Sequence, residues 1–321
     1  MKELVFINKK ITKLSNFEYG TIWEDPVSGH RVGCLDASKI EDVEKLMSGK
    51  KTTLAIQDPP YNVKINKEFR RNPLKEYISW SKRWIDNTIE VLDKDSSLYI
   101  WLGADIRKGF QPLPDFIIMM RKKPLRTRNF ITVRNQRGYG TQKNWMAVRQ
   151  ELLYYIKGEP VFNIEAVYTD IPKKTKGYYK KVKGKLTENI ERSKSPTIRA
   201  GNVWFDIQQV FYLLEENIEG CFAQKPLKAI DRIIRASSKK GNLIIDFFSH
   251  SGSTLLAAEM LQRKCYTMDI SPAYCKVTVA RLLHYRKTGK TGWGRTKILK
   301  DEKFLADDKD LLGRQSSFGF I

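Results

Sequence analysis

The tetrapeptide Asp58-Pro59-Pro60-Tyr61 places a carboxylate, a rigid backbone and an aromatic ring directly after the apolar run Leu54-Ala55-Ile56. Prolines fix φ and lack N–H donors, so nearby carbonyl groups stay free to accept hydrogen bonds from a ligand. The carboxylate of Asp58 can accept a second hydrogen, and the ring of Tyr61 can stack on a planar group. These residue types suit a nucleobase with an exocyclic amino group. Taken alone, the tetrapeptide is more often a turn that ends a strand.

A second group of residues predicts a nucleotide site. Small residues follow Asp246 and lead into a helical run that starts near Leu255, so backbone N–H groups and the helix dipole would face a ligand. Asp269 ends the next predicted strand about 20 residues further on, where nucleotide-binding α/β domains place an acid for ribose hydroxyls. We therefore expect a cofactor that contains adenosine. The sequence lacks both Gly-Lys-Ser/Thr and the full Gly-x-Gly-x-x-Gly pattern, and an ordinary strand-to-helix turn is the alternative.

Composition points to a polyanionic partner. The 321-residue chain has a formal charge of +22, with 58 Lys and Arg against 36 Asp and Glu. Membrane attachment is not expected, because no long apolar span or signal-peptide pattern is present. The four cysteines lack Cys-x-x-Cys spacing and the three histidines are far apart, so we expect metal-free chemistry and reduced thiols in a cytoplasmic protein.

Short β-branched or aromatic runs alternate with helical stretches, which is typical of an α/β sheet covered by helices on both faces. The predicted strands are Arg31–Leu35, Thr53–Gln57, Ser97–Leu102, Asn129–Val133, Glu151–Lys157, Asn242–Phe247 and Cys265–Met268. The predicted helices are Ile40–Met47, Tyr77–Leu92, Pro114–Met120, Pro226–Ser237, Thr254–Leu261 and Pro272–Leu283.

Three basic segments interrupt this alternation: Asn62–Lys75, Arg121–Lys143 and Ile171–Ala200. Each one taken singly could be a solvated surface, but three such runs in one basic chain favour a groove for nucleic acid. The residues predicted to contact DNA are Lys64, Arg70, Arg71, Arg134, Arg137, Lys143, Lys180, Lys181, Lys183 and Lys185.

Together the motifs resemble the permuted (beta-class-like) S-adenosylmethionine-dependent DNA amino-methyltransferases, in which the catalytic motif precedes the cofactor motif. The resemblance extends from about Val32 to Thr288. Five ordered segments carry it: Cys34-Leu35-Asp36-Ala37, Asp58-Pro59-Pro60-Tyr61, Gln224-Lys225-Pro226, Asp246 to Thr254, and Asp269 with the following Ser271-Pro272-Ala273-Tyr274. There are two departures from the family pattern. His250 stands where the family has the first glycine of its cofactor loop, and Ala223 replaces a threonine.

The resemblance implies a doubly wound, seven-strand Rossmann-like methyltransferase sheet with a small inserted target-recognition region. It implies catalysis by Asp58, Pro59, Pro60 and Tyr61 on the N6 amino group of a flipped adenine, since the family associates Asp in the first position with adenine. The residues that it assigns to S-adenosylmethionine are Asp36, Ala37, Gln224, Lys225, Asp246, Phe248, Ser249, His250, Ser251, Gly252, Ser253, Thr254, Asp269 and Ile270.

The expected division of the chain is a catalytic half over residues 1–157, a target-recognition insertion over 158–220, a cofactor half over 221–288 and a basic polar tail over 289–321. Methylation of cytosine N4, an RNA substrate and a catalytically silent nucleic-acid-binding relative remain alternatives. Double-stranded DNA is the expected partner, and a cognate restriction endonuclease and a homodimer are left open. The expected location is the cytoplasm of a bacterium or archaeon, or of a phage-infected cell.

Overall fold

The structure is a computed structural model that describes residues 17–60, 74–103, 112–139, 145–173, 177–190, 195–210, 214–218, 221 and 223–293. Its strands are β1 (Ile22–Glu24), β2 (Arg31–Cys34), β3 (Thr52–Gln57), β4 (Leu92–Leu102), β5 (Arg126–Tyr139), β6 (Ala147–Lys157), β7 (Tyr168–Pro172), β8 (Gly177–Val182), β9 (Lys185–Ile190), β10 (Thr197–Arg199), β11 (Val203–Trp204), β12 (Leu243–Asp246) and β13 (Lys264–Asp269). Its helices are α1 (Ile40–Met47), α2 (Leu74–Val91), α3 (Pro112–Met120), α4 (Leu227–Ser237), α5 (Ser253–Met260) and α6 (Pro272–Thr288), with a short 3₁₀ helix at Ile164–Val167.

The main sheet has the order β1-β2-β13-β12-β3-β4-β6-β5-β11 among the described residues. Strands β2, β13, β12, β3 and β4 are parallel to one another, so their carboxyl ends share one edge. Strand β6 runs antiparallel to both β4 and β5. All seven predicted strands lie in this sheet. The edge strands β1 and β11 have only three and two residues, too short for a periodic pattern to reveal.

Side-chain alternation along the strands divides the core into two layers. In β3, Leu54 and Ile56 belong to one buried cluster and Ala55 belongs to the other. The first cluster includes apolar residues of α4, α5 and α6, and the second includes those of α1, α2 and α3. Helices therefore cover both faces of the sheet, as expected for a doubly wound fold. None of the helices in the described ranges combines the length and the apolar content that spanning a bilayer requires.

The basic segment between β6 and α4 contains strands that the sequence analysis did not predict. Strand β7 pairs with β10, and β8 pairs with β9, each pair forming a separate antiparallel sheet. Lys183 and Gly184 join β8 to β9, and their φ angles of +50° and +80° are those of a type I′ hairpin turn. This Lys-Gly pair was the available signal for the hairpin. Strand β11, which lies within the expected insertion at 158–220, pairs with β5 in the main sheet.

The turn between β12 and α5 contains two residues with positive φ. His250 has φ +44° and Gly252 has φ +72°. A Cβ atom at Gly252 would lie 3.0 Å from the Cα of Thr278 in α6, so both the backbone conformation and the space favour glycine there. The imidazole ring of His250 lies 4.6 Å from the ring of Tyr274, and this contact offsets part of the backbone cost.

These two positions should differ in how strongly a substitution changes the free energy of unfolding. We expect Gly252→Ala to lower the free energy of unfolding by about 1–3 kcal/mol, because an L-residue at this φ is strained and crowded by backbone. The matched change His250→Gly should alter it by less than about 1 kcal/mol, because glycine relieves the backbone while the ring contact is lost. Urea unfolding followed by circular dichroism measures both. Equal effects of the two variants would contradict this account of the turn.

Candidate active site

The strand order brings the two sequence motifs to neighbouring positions. Asp58 follows β3, Asp246 ends β12 and Asp269 ends β13, and these strands are adjacent and parallel. Asp36 follows β2, which pairs with β13 on its other side. Four carboxylates from four separate segments therefore lie along one edge of the sheet, where open α/β sheets bind ligands.

A hydrogen bond between buried groups joins the two central strands at this edge. The side-chain Oε1 of Gln57 accepts a hydrogen bond from the backbone N–H of Phe247 at 2.9 Å, although the two residues are 190 positions apart. Gln57 is fully buried. Gln57 was not predicted as a site residue, and the signal for it was a polar side chain directly after the apolar run Leu54-Ala55-Ile56. This bond fixes Asp58 relative to the loop that follows β12.

The carboxylate of Asp58 is paired with the ammonium group of Lys225. The distance from Lys225 Nζ to Asp58 Oδ2 is 2.7 Å, and the two side chains are 6% and 22% exposed. The same ammonium group lies 5.2 Å from the centre of the Trp101 ring, within cation–π range. The backbone carbonyl of Pro60 accepts a hydrogen bond from the Tyr77 hydroxyl at 3.2 Å. Lys225 was assigned to the cofactor by resemblance, and the structure places its ammonium group on the predicted catalytic carboxylate.

The segment that carries Lys225 is held by buried hydrogen bonds. The side chain of Gln224 donates to the carbonyl of Glu216 at 2.6 Å and accepts from the N–H of Ile218 at 3.1 Å. The hydroxyl of Ser253, the first residue of α5, donates to the carbonyl of Lys225 at 3.0 Å. The Gln224-Lys225 element and the helix after the small-residue turn therefore form one unit.

The carboxylate of Asp269 shapes the loop beside it. One of its oxygens accepts from the backbone N–H of His250 at 3.0 Å, and the other accepts from that of Ser271 at 2.9 Å. These two bonds hold the Asp269 carboxylate beside the loop that follows β12. Burial lowers the pKa of His250 to about 4, which keeps its imidazole ring neutral at pH 7.

A buried arginine that the sequence analysis overlooked also holds the loop. Arg281 of α6 donates through Nη1 to the carbonyl of Ser251 at 2.9 Å and to the hydroxyl of Ser253 at 3.1 Å. Its Nε donates to the carbonyl of Thr291 at 2.8 Å. Burial lowers the pKa of Arg281 to about 10, so the side chain still carries its charge at pH 7. These hydrogen bonds connect the loop between β12 and α5 to helix α6.

The residues assigned to the adenine end of the cofactor lie at the same edge. Asp36 Oδ1 accepts hydrogen bonds from the backbone N–H and the hydroxyl of Ser38, both at 2.8 Å. The carbonyl of Ala37 accepts from the Asn87 side chain at 2.9 Å. Ile270 is 62% exposed directly after Asp269, which leaves an apolar side chain at the rim. Its exposure is suited to contact with a flat ring.

The ring of Phe248 packs against two aromatic residues of helix α2. It meets the rings of Trp80 and Trp84 edge to face, with centroids 5.9 Å and 5.2 Å away. Phe248, Asp58, Lys225 and Asp246 line a narrow space together with Ser249 to Ser251, Ser253 and Thr254. The free volume there is about 20 Å³, which is room for about one water molecule.

The residues predicted to contact DNA divide into three groups. Arg134 on β5 and Lys181, Lys183 and Lys185 on the β8–β9 hairpin have exposed side chains. Arg137 and Lys180 belong to β5 and β8, and their side chains lie outside the described part of the chain. Lys64, Arg70, Arg71 and Lys143 lie outside the described residues, and so does Tyr61 of the predicted catalytic motif.

The carboxyl group of Asp246 has a strongly raised pKa. Burial, together with the nearby charges of Asp58 and Asp269, raises its pKa to about 7. Its Oδ1 accepts a hydrogen bond from the N–H of Phe248 at 2.9 Å, which partly opposes this shift. The carboxyl group therefore keeps its proton to a much higher pH than an exposed aspartate does.

This raised pKa predicts a specific pH dependence of stability. The folded protein retains a proton on Asp246 that the unfolded chain has lost, so this group lowers stability as pH rises from about 4 to about 7. We expect the free energy of unfolding of Asp246→Asn, minus that of the wild type, to grow through this window and then level off. Urea unfolding at several pH values measures the difference. Asp115→Asn, on the exposed side of α3, controls for loss of a charge, and parallel curves for Asp246→Asn and wild type would contradict the prediction.

Solved structures share this fold at low sequence identity. The PvuII DNA methyltransferase (cytosine-N4-specific) superimposes with a TM-score of 0.59 and 16% identity over 92% of this chain and 97% of that one. TTHA0409, a putative DNA modification methylase from Thermus thermophilus in complex with S-adenosyl-L-methionine, gives a TM-score of 0.54 and 18% identity over 83% of this chain and 99% of that one. The mixed α/β methyltransferase architecture is thereby confirmed.

Characterised relatives are similar in sequence over most of this chain. The Type II methyltransferase M.BamHI of Bacillus amyloliquefaciens is 28% identical over 88% of this chain, which spans 64% of that relative's length. The Type II methyltransferase M1.MboII of Moraxella bovis is 29% identical over 76% of this chain and 92% of that relative's length. The DNA adenine methyltransferase YhdJ of Escherichia coli K12 is 26% identical over 74% of this chain and 78% of its own.

A family-wide comparison covers both motifs at once. The sequence matches the DNA methylase family N6_N4_Mtase over residues 52–280, from β3 to the middle of α6. That range includes Asp58, Lys225, the loop after β12 and Asp269, which are the residues that the fold brings together. The chain belongs to the N6_N4_Mtase DNA methylase family.

Proposed function

We propose that this protein transfers a methyl group from S-adenosylmethionine to the N6 amino group of an adenine flipped out of duplex DNA. The observation that carries the proposal is the position of Asp58 directly after β3, beside the loop that follows β12. Family membership and the net charge of +22 support DNA as the substrate. Asp in the first position of the motif supports adenine, and so does similarity to a relative named as a DNA adenine methyltransferase.

The residues along the sheet edge fit S-adenosylmethionine. S-adenosylmethionine carries a positive sulfonium centre, which negatively charged side chains attract. The sheet edge presents four carboxylates from adjacent segments, those of Asp36, Asp58, Asp246 and Asp269. Asp269 ends β13, where a nucleotide-binding sheet of this kind places an acid for ribose hydroxyls, and Asp36 with Ile270 borders the expected adenine position. When bound, the cofactor supplies an electrophilic methyl group.

In the proposed mechanism, Asp58 and the carbonyl of Pro59 accept the two hydrogens of the target amino group. This localises the nitrogen lone pair toward the methyl donor and stabilises the positive charge that grows on nitrogen during attack. Once the methyl group has been transferred, the nitrogen would lose one of these hydrogens as a proton, which the Asp58 carboxylate is placed to accept and pass to water. No side chain has to act as a nucleophile. The base must leave the helical stack, because the edge of the sheet cannot reach an amino group inside a duplex.

We further propose that Lys225 holds the place of the target amino group before the base enters. Its ammonium group bonds one oxygen of the carboxylate that would hold the base, and the space that both residues line, about 20 Å³, is much smaller than a purine. A lysine charge left on this oxygen would also repel the positive charge that develops on the target nitrogen. The contact between Lys225 and Asp58 therefore breaks in the productive complex, and the base takes over its hydrogen bond.

Lys225→Met should consequently improve DNA binding more than it impairs chemistry. We expect a several-fold lower KM for DNA, since entry of the base no longer breaks an ion pair, and a kcat within about tenfold of the wild type. Lys228→Met, which removes a partly exposed lysine from the first turn of α4, is the matched control. A kcat reduced by about a hundredfold or more at unchanged KM would mean that Lys225 acts on the reaction itself.

Analysis of the methylated product tests the proposed function. Labelled S-adenosylmethionine is incubated with unmethylated genomic DNA or RNA, the nucleic acid is digested, and the nucleosides are separated. We expect N6-methyladenine from DNA. Asp58→Ala should reduce the rate by about a hundredfold or more while DNA binding changes by only a few-fold, because the lost group acts on charge that forms in the transition state.

The other outcomes of this assay identify the alternatives. N4-methylcytosine would assign the protein to the cytosine-specific branch, and labelled RNA alone would assign it an RNA substrate. No methylated nucleoside in either polymer, with DNA binding intact, would indicate a nucleic-acid-binding protein without catalysis. Activity of Asp58→Ala above about a tenth of the wild type would remove Asp58 from the proposed role.

A further inference from the structure

A second, larger cavity lies on the face of the main sheet that packs against α4. Its volume is about 480 Å³, within the range of small-molecule sites. Its walls include Tyr99, Tyr154, Phe162, Trp204, Arg128 and Arg199, and none of its lining residues borders the space around Asp58. The cavity is therefore separate from the proposed active site.

Aromatic rings form a rigid wall of this cavity. The rings of Tyr99 and Tyr154 are stacked with centroids 4.1 Å apart and planes at 6°, and both residues are buried. The hydroxyl of Tyr99 bonds the hydroxyl of Ser237 at 2.9 Å, which fixes the stack against α4. Phe162 continues the stack at 6.4 Å from Tyr154 and is 45% exposed, so part of its ring remains open to a ligand.

Two exposed arginines supply positive charge to the same cavity. Arg128 comes from the basic run Arg121–Lys143 and Arg199 from the run Ile171–Ala200, so two separate basic segments converge here. Within the described part of the chain, neither guanidinium group is within ion-pair distance of a carboxylate. Arg232 also lines the cavity, but it is paired with Asp206 and packs 5.0 Å from the ring of Trp204.

Hydrogen-bonding groups complete the lining. Asn129 and Asn202 border the cavity, and an amide side chain can both donate to and accept from the edge of a base. The indole N–H of Trp204 bonds the carbonyl of Gly201 at 3.0 Å, so this ring presents its apolar surface. A stacking wall, amide groups and two guanidinium groups match the parts of a nucleotide: ring, polar edge and phosphate.

We propose that this cavity binds one nucleotide, with its base against Phe162 and its phosphate between Arg128 and Arg199. The nucleotide belongs either to a DNA strand outside the target position or to the free nucleotide pool. The first source rests on the proposed function in DNA, whereas the second does not. Both use the same chemistry, and the source is decided by experiment.

The test uses the full chain and binding measurements without S-adenosylmethionine, so its outcome is independent of methyl transfer. Phe162→Ala removes the open ring and Arg128→Gln removes one charge. The matched controls are Val161→Ala, at a neighbouring exposed position that is not part of the wall, and Arg121→Gln, an exposed arginine after α3. Titration calorimetry measures adenosine 5′-monophosphate and adenosine, and fluorescence anisotropy measures a DNA duplex over a range of salt concentrations.

For a free nucleotide, we expect the monophosphate to bind more tightly than adenosine and each test variant to weaken it at least fivefold, with both controls unchanged. For a nucleotide in DNA, the monophosphate shows no binding and both variants weaken the DNA complex at least fivefold relative to their controls. Arg128→Gln should then lower the salt slope by about 0.9, while Phe162→Ala should leave it unchanged, because only the arginine releases a counterion. Test variants that match their controls with both ligands would overturn the proposal.

Discussion

The parallel pairing of β3 with β12 is the contact on which the site depends. Strand β3 delivers Asp58 and β12 delivers the loop from Phe247 to Gly252, and neither segment could approach the other without this pairing. The buried bond from Phe247 to Gln57 adds a direct connection at the carboxyl end of the two strands. A hydrogen bond in such a buried position is costly to break, because the remaining polar group would have no water to replace its partner. Positioning of the proposed amine acceptor is therefore a property of the sheet rather than of a flexible loop.

Electrostatics sets the second constraint. Four carboxylates at one sheet edge repel one another, and the fold compensates for this repulsion in a different way at each position. Asp269 is stabilised by two backbone N–H groups, Asp58 by the ammonium of Lys225, and Asp246 by partial protonation. An acidic edge of this kind suits a cationic cofactor, and in the proposed function it leaves the phosphates of DNA to the basic segments. In that proposal, the division of charge directs the two ligands to different parts of the protein.

Much of this architecture could be predicted from sequence, for identifiable reasons. Long strands and amphipathic helices carry periodic patterns, and ordered motifs such as Asp58 to Tyr61 and Asp246 to Thr254 identify the edge where ligands bind. The short strands β1 and β11 have no measurable period. The lysines of β8 and β9 made this segment resemble a solvated basic run, so its β-hairpin was not predicted.

The contacts within the site were less accessible to sequence reasoning. The pairing of Lys225 with Asp58, and the roles of Gln57 and Arg281, arise from tertiary contacts that no local pattern encodes. The resemblance assigned Lys225 to the cofactor because its motif is defined by neighbours in the sequence. In the fold, its ammonium group pairs with Asp58, which belongs to a different motif. The aromatic cavity beside Phe162 was also invisible, because its walls come from β4, β5, β6 and the segment around Arg199.

The order β2-β13-β12-β3 also has a consequence for biosynthesis. Strands β2 and β3 leave the ribosome early, but the two strands that belong between them are made last. Because synthesis proceeds at about 5–20 residues per second, the edges of β2 and β3 remain unpaired for on the order of ten seconds or more before β12 and β13 are made. Contacts this distant along the chain also slow folding, because the loop must be closed before the pairing is gained. Unpaired apolar strand edges are prone to association with other chains, so the nascent protein should depend on chaperones until β12 and β13 insert.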